Sequence, residues 1–338
     1  MPPGKRCPTL GQPFATAEYP RTAGVATCMR AAVIRTYGDP DVVETAEVDD
    51  PLVGPDSVLI QVAAAGVNPV DWKIVAGYLQ GAFPHHLPLI PGWDVAGEVV
   101  AVGPGVTEVT PGDRVAAYAR KDDVQHGTFA ELVAAPIRGV AKVPDGVDLV
   151  TAGALPLVGL TAHQLLDATG VGAGDTVLVH AAAGGVGSVA VQLAALRGAR
   201  VIGTAGERNH DYLRSLGAEP VEYGDSAATL TAHVREVAPD GVDVVLDFVG
   251  GDSLESAPDV LAEGGRVGSI VDADAVKKLG GHYVFVRPDA GMLAELLALV
   301  AAGSLRVEIA ERFPLDRAGD ALAANKAGHV RGKVVITV

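Results

Sequence analysis

Residues Ala181 to Gly187 read A-A-A-G-G-V-G, a run of small side chains between an apolar, β-branched stretch, Thr176 to His180, and a segment with a helical apolar face, Ser188 to Leu196. A strand that feeds a glycine turn and then a helix leaves free backbone N–H groups and the positive helix end at the turn. A pyrophosphate is the group such a turn favours. The chemistry on offer is therefore that of a dinucleotide, hydride transfer. Gly184 and Gly187 have the jobs of close phosphate approach and close helix packing, with Ala183, Gly185 and Val186 completing the turn. The first fingerprint glycine is replaced, since the motif reads A-x-x-G-x-x-G from Ala181, or A-x-G-x-x-G from Ala182. Alone, such a turn also suits an unrelated α/β protein; the strand, helix and following strand around it favour the dinucleotide.

The end of the second strand, Arg200 to Thr204, selects among dinucleotides. An NAD site wants an Asp or Glu there for the ribose hydroxyls, and that carboxylate would repel a 2′-phosphate. The chain instead runs Gly203, Thr204, Ala205, Gly206. Thr204 can hydrogen-bond a 2′-phosphate and Arg208 can pair with it, with Glu207 a mild counter-signal. NADPH is expected over NADH.

The elements that must position this turn are legible from bulk properties and periodicity. With 338 residues the chain can hold two domains, and its 49% apolar composition, poor in aromatics, suits buried parallel strands and closely packed helices. A net charge of −15 argues against nucleic acid or an anionic membrane as partner. No apolar run is long and unbroken enough to predict a transmembrane helix. A soluble, cytoplasmic protein is expected. Both cysteines, Cys7 and Cys28, precede Met29, so the body of the chain has neither a disulfide framework nor a cysteine-ligated zinc site.

Residues 1–28 lack hydrophobic periodicity and any secretory core, and are expected to be a disordered extension, with Met29 a possible natural start. From Met29 to about Val150, short β-rich runs alternate with Pro and Gly turns: 31–35, 57–65, 95–102, 114–118 and 129–134. Beyond the glycine turn, strands and helices alternate: helix 211–216, strand 220–223, helix 226–237, strand 241–248, helix 253–261, strand 265–270 and a last strand 283–286. Six strands with intervening helices predict an α/β fold with a doubly wound sheet. A helix from Met292 to Ala302 and a strand from Lys333 to Val338 are expected to return to the β-rich part. His85 and His86 lack partners at metal-binding spacing and read as loop residues.

Several separated motifs then agree: G-V-N-P-V-D-W-K from Gly66, P-G-W-D-V-A-G-E-V from Pro91, P-G-D-R-V from Pro111, G-T-F-A-E from Gly127, the glycine turn, and R-G-K-V-V from Arg331. In this order, from Met29 to Val338, the chain resembles the zinc-independent NADPH:quinone oxidoreductases of the medium-chain dehydrogenase/reductase superfamily. The resemblance implies a GroES-like catalytic domain (29–152), a Rossmann NADPH-binding domain (153–285), a C-terminal segment returning to the catalytic domain (286–338), and a homodimer. Zinc alcohol dehydrogenases carry a ligand Cys in G-x-C-x-x-D and a ligand His in G-H-E; here Asn68 stands at the first, and Trp93 with Asp94 at the second. The structural zinc lobe is also missing, so no metal is expected. Without a Lewis acid, simple alcohol oxidation is disfavoured, whereas a quinone or α,β-unsaturated carbonyl delocalises the incoming charge and needs only a hydrogen bond.

The resemblance places Asn68 beside the nicotinamide and substrate carbonyl, as a donor; the bland alternative is a turn residue before Pro69. Asp71 accompanies it, with a surface ion pair to Lys73 equally open. Trp93 is either a substrate wall or core. Thr161 is placed on the nicotinamide side, or is a helix residue with a backbone-bonded hydroxyl. Gly268, Ser269 and Ile270 end a strand at the ligand edge of the sheet, and Phe285, Val286 and Arg287 resemble the family's backbone contacts to the nicotinamide. Lys333 either reaches a cofactor phosphate or is solvated. The expected activity is NADPH-dependent reduction of a quinone or conjugated enone. The rivals are a pathway-specific enoyl or acrylate-type reductase, and a non-catalytic NADPH-binding protein.

Overall fold

Val177, Leu178 and Val179 are fully buried, as are Val244, Val245 and Leu246, because strands covered by helices on both faces have no solvent side. A computed structural model describes residues 28–338 except His329, and the expected N-terminal extension with Cys7 lies outside the described residues. These strands are central in a six-stranded parallel sheet, ordered Ala218–Val221, Arg200–Thr204, Thr176–Val179, Val242–Asp247, Leu261–Ser269, His282–Tyr283. By chain position that order is 3-2-1-4-5-6. It reverses between Thr176–Val179 and Val242–Asp247, and open α/β sheets bind ligands at the carboxyl ends of the strands beside such a reversal. The doubly wound sheet is therefore present, with the glycine turn at its switch point.

The second large sheet has seven strands among the described residues. Its path runs Ile309–Pro314, Lys333–Thr337, Ser57–Val67, Asp94–Val102, Arg114–Tyr118, Val140–Lys142, with Leu132–Pro136 also paired to Ser57–Val67. The C-terminal strand Lys333–Thr337 lies antiparallel to Ser57–Val67, with Val334 opposite Val67 and Val335 opposite Gly66. This pairing brings the end of the chain beside the residues that precede Asn68.

Helix starts follow the local chemistry. The Ser226 hydroxyl accepts from Thr229 N and caps Ala227–Val237, and the Asp148 carboxylate accepts from Val150 N and Thr151 N ahead of Leu149–Ala154. Gly217, at φ +94°, ends His210–Leu216 in the left-handed conformation that glycine adopts without strain.

Four local expectations change. The helix over 253–261 is split into Asp252–Glu255 and Ala257–Val260, and Leu261 already begins the next strand. Pro258 stands in the first turn of the second piece, where its missing N–H is harmless, but it could not extend a longer helix from Asp252. The last strand of the parallel sheet is only His282–Tyr283, and the chain beyond is irregular. His85 and His86 open a strand, His85–Ile90, paired with Val124–His126, rather than a loop. The C-terminal segment also holds a strand and a helix that periodicity did not reveal, Ile309–Pro314 and Ala318–Lys326. Every second residue of that strand does not alternate cleanly between buried and exposed, so it carries no period-two signal.

Candidate active site

The glycine turn and the segment after Gly66 meet along the C-terminal strand. Gly332 N–H donates to Ala183 O at 3.0 Å, and Gly184 forms an isolated bridge with Gly332. One residue on, Lys333 turns inward, only 3% exposed. Its Nζ donates to Val67 O at 2.9 Å and to Asn68 Oδ1, and lies 3.8 Å from Asp94 Oδ2. It is thus not solvated, because the backbone pairing of its strand directs it into the floor between the two sheets.

Asn68, 1% exposed, is the hub of that floor. Its Nδ2 donates to Asp94 Oδ2 at 2.9 Å and more weakly to Gly66 O at 3.5 Å. Lys333 can only donate and a carboxylate can only accept, so the amide orientation is fixed by chemistry. All of its polar capacity faces protein groups. Its backbone N–H donates to Asp71 Oδ2 at 2.7 Å, the acidic half of a capping box that starts helix Pro69–Val75. Asp71 is fully buried and does not pair with Lys73. The other oxygen of Asp94 accepts from Leu157 N at 2.8 Å, which ties the floor to the first turn of helix Pro156–Ala168.

Burial pushes both carboxyls up. Asp94 is raised to about 6 by desolvation, opposed by Lys333 and by the bonds from Asn68 and Leu157. Asp71 is raised to about 8, again mainly by desolvation, with Asp94 adding and the Asn68 N–H and Lys333 opposing. Burial also lowers Lys333, against the attraction of Asp94 and Asp71. Asp71 is thus protonated at neutral pH, and Asp94 and Lys333 each favour the charged form of the other.

A carboxyl whose pKa is higher folded than unfolded takes up a proton on folding. Its stabilising contribution is complete below the unfolded value and is lost as pH rises through the folded one. Thermal stability is therefore expected to fall as pH rises from about 4 to about 8, by at most about 1.4 kcal/mol per pH unit from Asp71, and to level off by about pH 9. Asp71→Asn, which keeps the shape without the charge, should flatten this slope and leave the variant more stable than wild type at pH 9. Melting curves across that range test it, and an unchanged slope would refute the assignment.

The turn fits a pyrophosphate on observations independent of motif. The first N–H groups of helix Gly185–Leu196 have no side-chain cap. At Gly185 an added Cβ would come 3.0 Å from Lys333 Cδ, and at Gly187 it would come 2.2 Å from Ala181 O, so the turn is closely packed from behind. Val186 lies half-buried between them and Ala183 is buried. Ala181 sits at φ +49°, where the missing first glycine would have been unstrained.

Thr204 is buried beneath this turn. Its Oγ1 accepts from Ala181 N at 3.3 Å and lies 3.4 Å from His180 Nδ1, so it braces the turn from behind. His180 is pushed down to about 4 by burial, with Asp247 opposing, and is a neutral imidazole. Arg208, on the exposed turn Glu207–Asn209, has no ion pair among the described residues. Thr161 is buried on helix Pro156–Ala168, and its Oγ1 has no hydrogen-bond partner, so it is not a backbone-bonded helix hydroxyl. An orphaned hydroxyl at that place suits a ligand.

The other predicted contacts divide. Ser269 Oγ donates to Asp247 Oδ2 at 2.6 Å and accepts from Val271 N, so it shapes the strand-end loop. An added Cβ at Gly268 would lie 2.7 Å from Thr169 Cγ2, which marks Gly268 as a packing position against a helix. Ile270 follows with its N–H on Asp247 O at 3.3 Å. The Arg287 backbone is clamped at both ends by Gln164, which accepts from its N–H at 3.1 Å and donates to its C=O at 2.9 Å, while the side chain pairs with Asp289. Gln164 was not foreseen, since a single glutamine on a helix carries no sequence signal. Val286 is nearly buried and Phe285 is 47% exposed.

Phe285 belongs to an aromatic group with Phe83, Trp93 and Tyr118. Phe83 lies 5.8 Å from Phe285 and 6.1 Å from Trp93, and Trp93 lies 6.1 Å edge-on to Tyr118. Trp93 is itself buried, and the group opens at Phe285. Among the described residues no group of three or more His, Cys, Asp or Glu could hold a metal ion, and no helix is long and apolar enough to cross a membrane.

The sequence model for the alcohol dehydrogenase GroES-like domain matches residues 54–145, and that for zinc-binding dehydrogenases matches residues 216–336. A chloroplast envelope quinone oxidoreductase homolog of Arabidopsis thaliana is 34% identical over 326 residues, 91% of this chain and 98% of the relative. A chloroplastic NADPH-dependent alkenal/one oxidoreductase of the same plant is 35% identical over 317 residues, 91% of this chain and 79% of the relative. The solved quinone oxidoreductase from Coxiella burnetii has a TM-score of 0.83 and 33% identity, covering 92% of this chain and 100% of that one.

Proposed function

The chain belongs to the quinone oxidoreductase family of the medium-chain dehydrogenase/reductase superfamily, and from that premise we propose that it is an NADPH-dependent reductase of quinones or α,β-unsaturated carbonyls. The observation that carries this reading is the joining of the glycine turn to the Asn68 floor through Gly332 and Lys333, which sets a dinucleotide cradle beside the buried Asn68, Asp94 and Lys333 network. When bound, the nicotinamide supplies the hydride.

The protein's own work in this reading is binding, orientation and exclusion of water. The N–H groups of Gly185, Val186 and Gly187 hold the pyrophosphate, with Thr204 bracing them. Thr161 and the backbone of Phe285 to Arg287, fixed by Gln164, face the nicotinamide. Asn68, Asp94 and Lys333 form a rigid floor, and the aromatic group keeps water out. Zinc-free reaction is supported by the side chains themselves: Asn68 and Trp93 are not zinc ligands, and both oxygens of Asp94 are already bonded. Cytoplasmic location accords with the absence of a membrane-crossing helix among the described residues. A homodimer accords with the family and with His282–Tyr283 being an outer strand of the parallel sheet.

Arg208 is the cation for the 2′-phosphate in this reading. Arg208→Glu should raise the KM for NADPH by roughly 10- to 100-fold, the worth of a charge-assisted bond. The KM for NADH should stay within about threefold; equal effects on both cofactors would remove Arg208 from this role. The reading as a whole is tested by NADPH oxidation with an ortho-quinone and an aliphatic enone, each repeated with a chelator and with NADH. Turnover that prefers NADPH and survives the chelator is expected. Tight NADPH binding without turnover of either acceptor would contradict it.

A further inference from the structure

Arg120 lies in the link between strands Arg114–Tyr118 and Val124–His126, and its guanidinium is held among three rings. Its Cζ is 5.3 Å from the centroid of Phe285, 5.9 Å from that of Phe83 and 5.9 Å from that of Tyr118. Rings against its faces fix a planar cation and leave its N–H edges for a ligand. Phe285 comes from the segment clamped by Gln164, so this cation joins residues of the β-rich part to the segment that follows the parallel sheet.

Arg120 has no acidic partner. The sequence has 41 Asp and Glu against 26 Lys and Arg, yet no carboxylate lies within ion-pair reach of Arg120 among the described residues. Asp122, two residues away, pairs with Arg138 instead, and Asp94 is held by Asn68, Leu157 and Lys333. Arg120 Nε is buried with no partner at hydrogen-bond geometry, and the guanidinium lies over the Tyr118 ring and interacts with its buried hydroxyl. Neighbouring Lys121 adds a second cation, its Nζ on His126 O at 3.2 Å. A half-buried cation without a carboxylate partner, packed among three rings, is arranged for an anion that arrives with the substrate.

We propose that Arg120 anchors a carboxylate carried by the substrate, so that the preferred acceptor is an anionic conjugated carbonyl rather than a neutral one. The carboxylate takes the guanidinium edge while the double bond lies between the aromatic wall and the Asn68 floor. This rests on the reductase reading above, and the test separates the two.

The probes are 4-oxo-2-pentenoate and 3-penten-2-one, which share an enone and differ in the carboxylate. Equilibrium binding to the full-length protein with NADP+ is measured by calorimetry, and NADPH oxidation is measured alongside. Wild type should bind the anionic enone at least about tenfold more tightly than the neutral one. Arg120→Gln should weaken the anionic enone by roughly 30-fold and change the neutral one by less than about twofold. Arg120→Lys, which retains charge but not the planar fork, should fall between them. Equal wild-type affinity for the two probes would overturn the proposal, as would equal losses for both in Arg120→Gln. If Arg120→Gln does not fold, the wild-type preference and Arg120→Lys still decide. Binding selectivity without any turnover would sustain Arg120 as an anion anchor and defeat the reductase reading instead.

Discussion

Gly187→Val is expected to abolish NADPH retention, raising the Kd at least about 100-fold. Residue 187 stands in the first turn of helix Gly185–Leu196, and a Cβ there would lie 2.2 Å from Ala181 O and 2.8 Å from Ala181 C and Ala182 Cα. These are backbone atoms of the strand-to-turn connection, so no rotamer change relieves the contact. The connection also has little slack. Ala181 already adopts φ +49°, a left-handed conformation that costs an alanine about 1–2 kcal/mol, and its N–H is held by Thr204 Oγ1. Moving the helix away would carry Gly185, Val186 and Gly187 off the phosphate together. Gly187→Ala makes the same contact with less bulk and should lie between. Fluorescence titration with NADPH, with circular dichroism to confirm folding, gives the answer; a Kd within about threefold of wild type would show that the cofactor does not use this turn.

Lys333→Met is expected to destabilise the protein by about 3–5 kcal/mol, the usual result of removing one partner of a buried ion pair. The lost ammonium leaves Asp94 buried with only Asn68 and Leu157 as donors, and leaves Asn68 Oδ1 and Val67 O without their donor. Methionine fills much of the same volume, so the loss is electrostatic rather than a cavity. Asp94→Asn in the same chain removes the stranded charge, and the double variant should recover part of the stability, an interaction of roughly 1–3 kcal/mol. Thermal melts of the four proteins measure it. Additive losses would mean that Lys333 and Asp94 do not stabilise one another.

The contrast between these two sites shows what sequence could and could not convey. The turn at Gly187 is local: strand, glycines and helix follow one another within about thirty residues, and their order alone predicts a phosphate cradle. The floor is not local. Lys333 and Val67 meet across 266 positions because the C-terminal strand pairs with Ser57–Val67, and R-G-K-V-V carries nothing to say that its lysine points inward. The family resemblance brought Asn68 and Lys333 forward as separate candidates, one for substrate and one for phosphate. The structure brings them together, bonded to each other. Asp94, read first as a replaced metal position, accepts from Asn68 and pairs with Lys333 at 3.8 Å. Ser269 and Gly268 stand at the expected edge of the sheet, but their side-chain positions are occupied by Asp247 and by Thr169, facts of packing that a single sequence does not hold. Arg120 gave no signal at all. Its character comes from rings at 83, 118 and 285 that converge only in the folded chain.

The proposed reaction is direct hydride delivery from NADPH to a conjugated carbonyl without a metal. Its sharpest test is a single turnover of 4-oxo-2-pentenoate with NADPH dideuterated at C4, using protein stripped by chelation and checked for residual metal by mass spectrometry. Direct transfer places one deuterium per product molecule on the carbon β to the ketone carbonyl, at a rate unaltered by chelation. Deuterium lost to solvent, or transfer that returns only when zinc is restored, would contradict it.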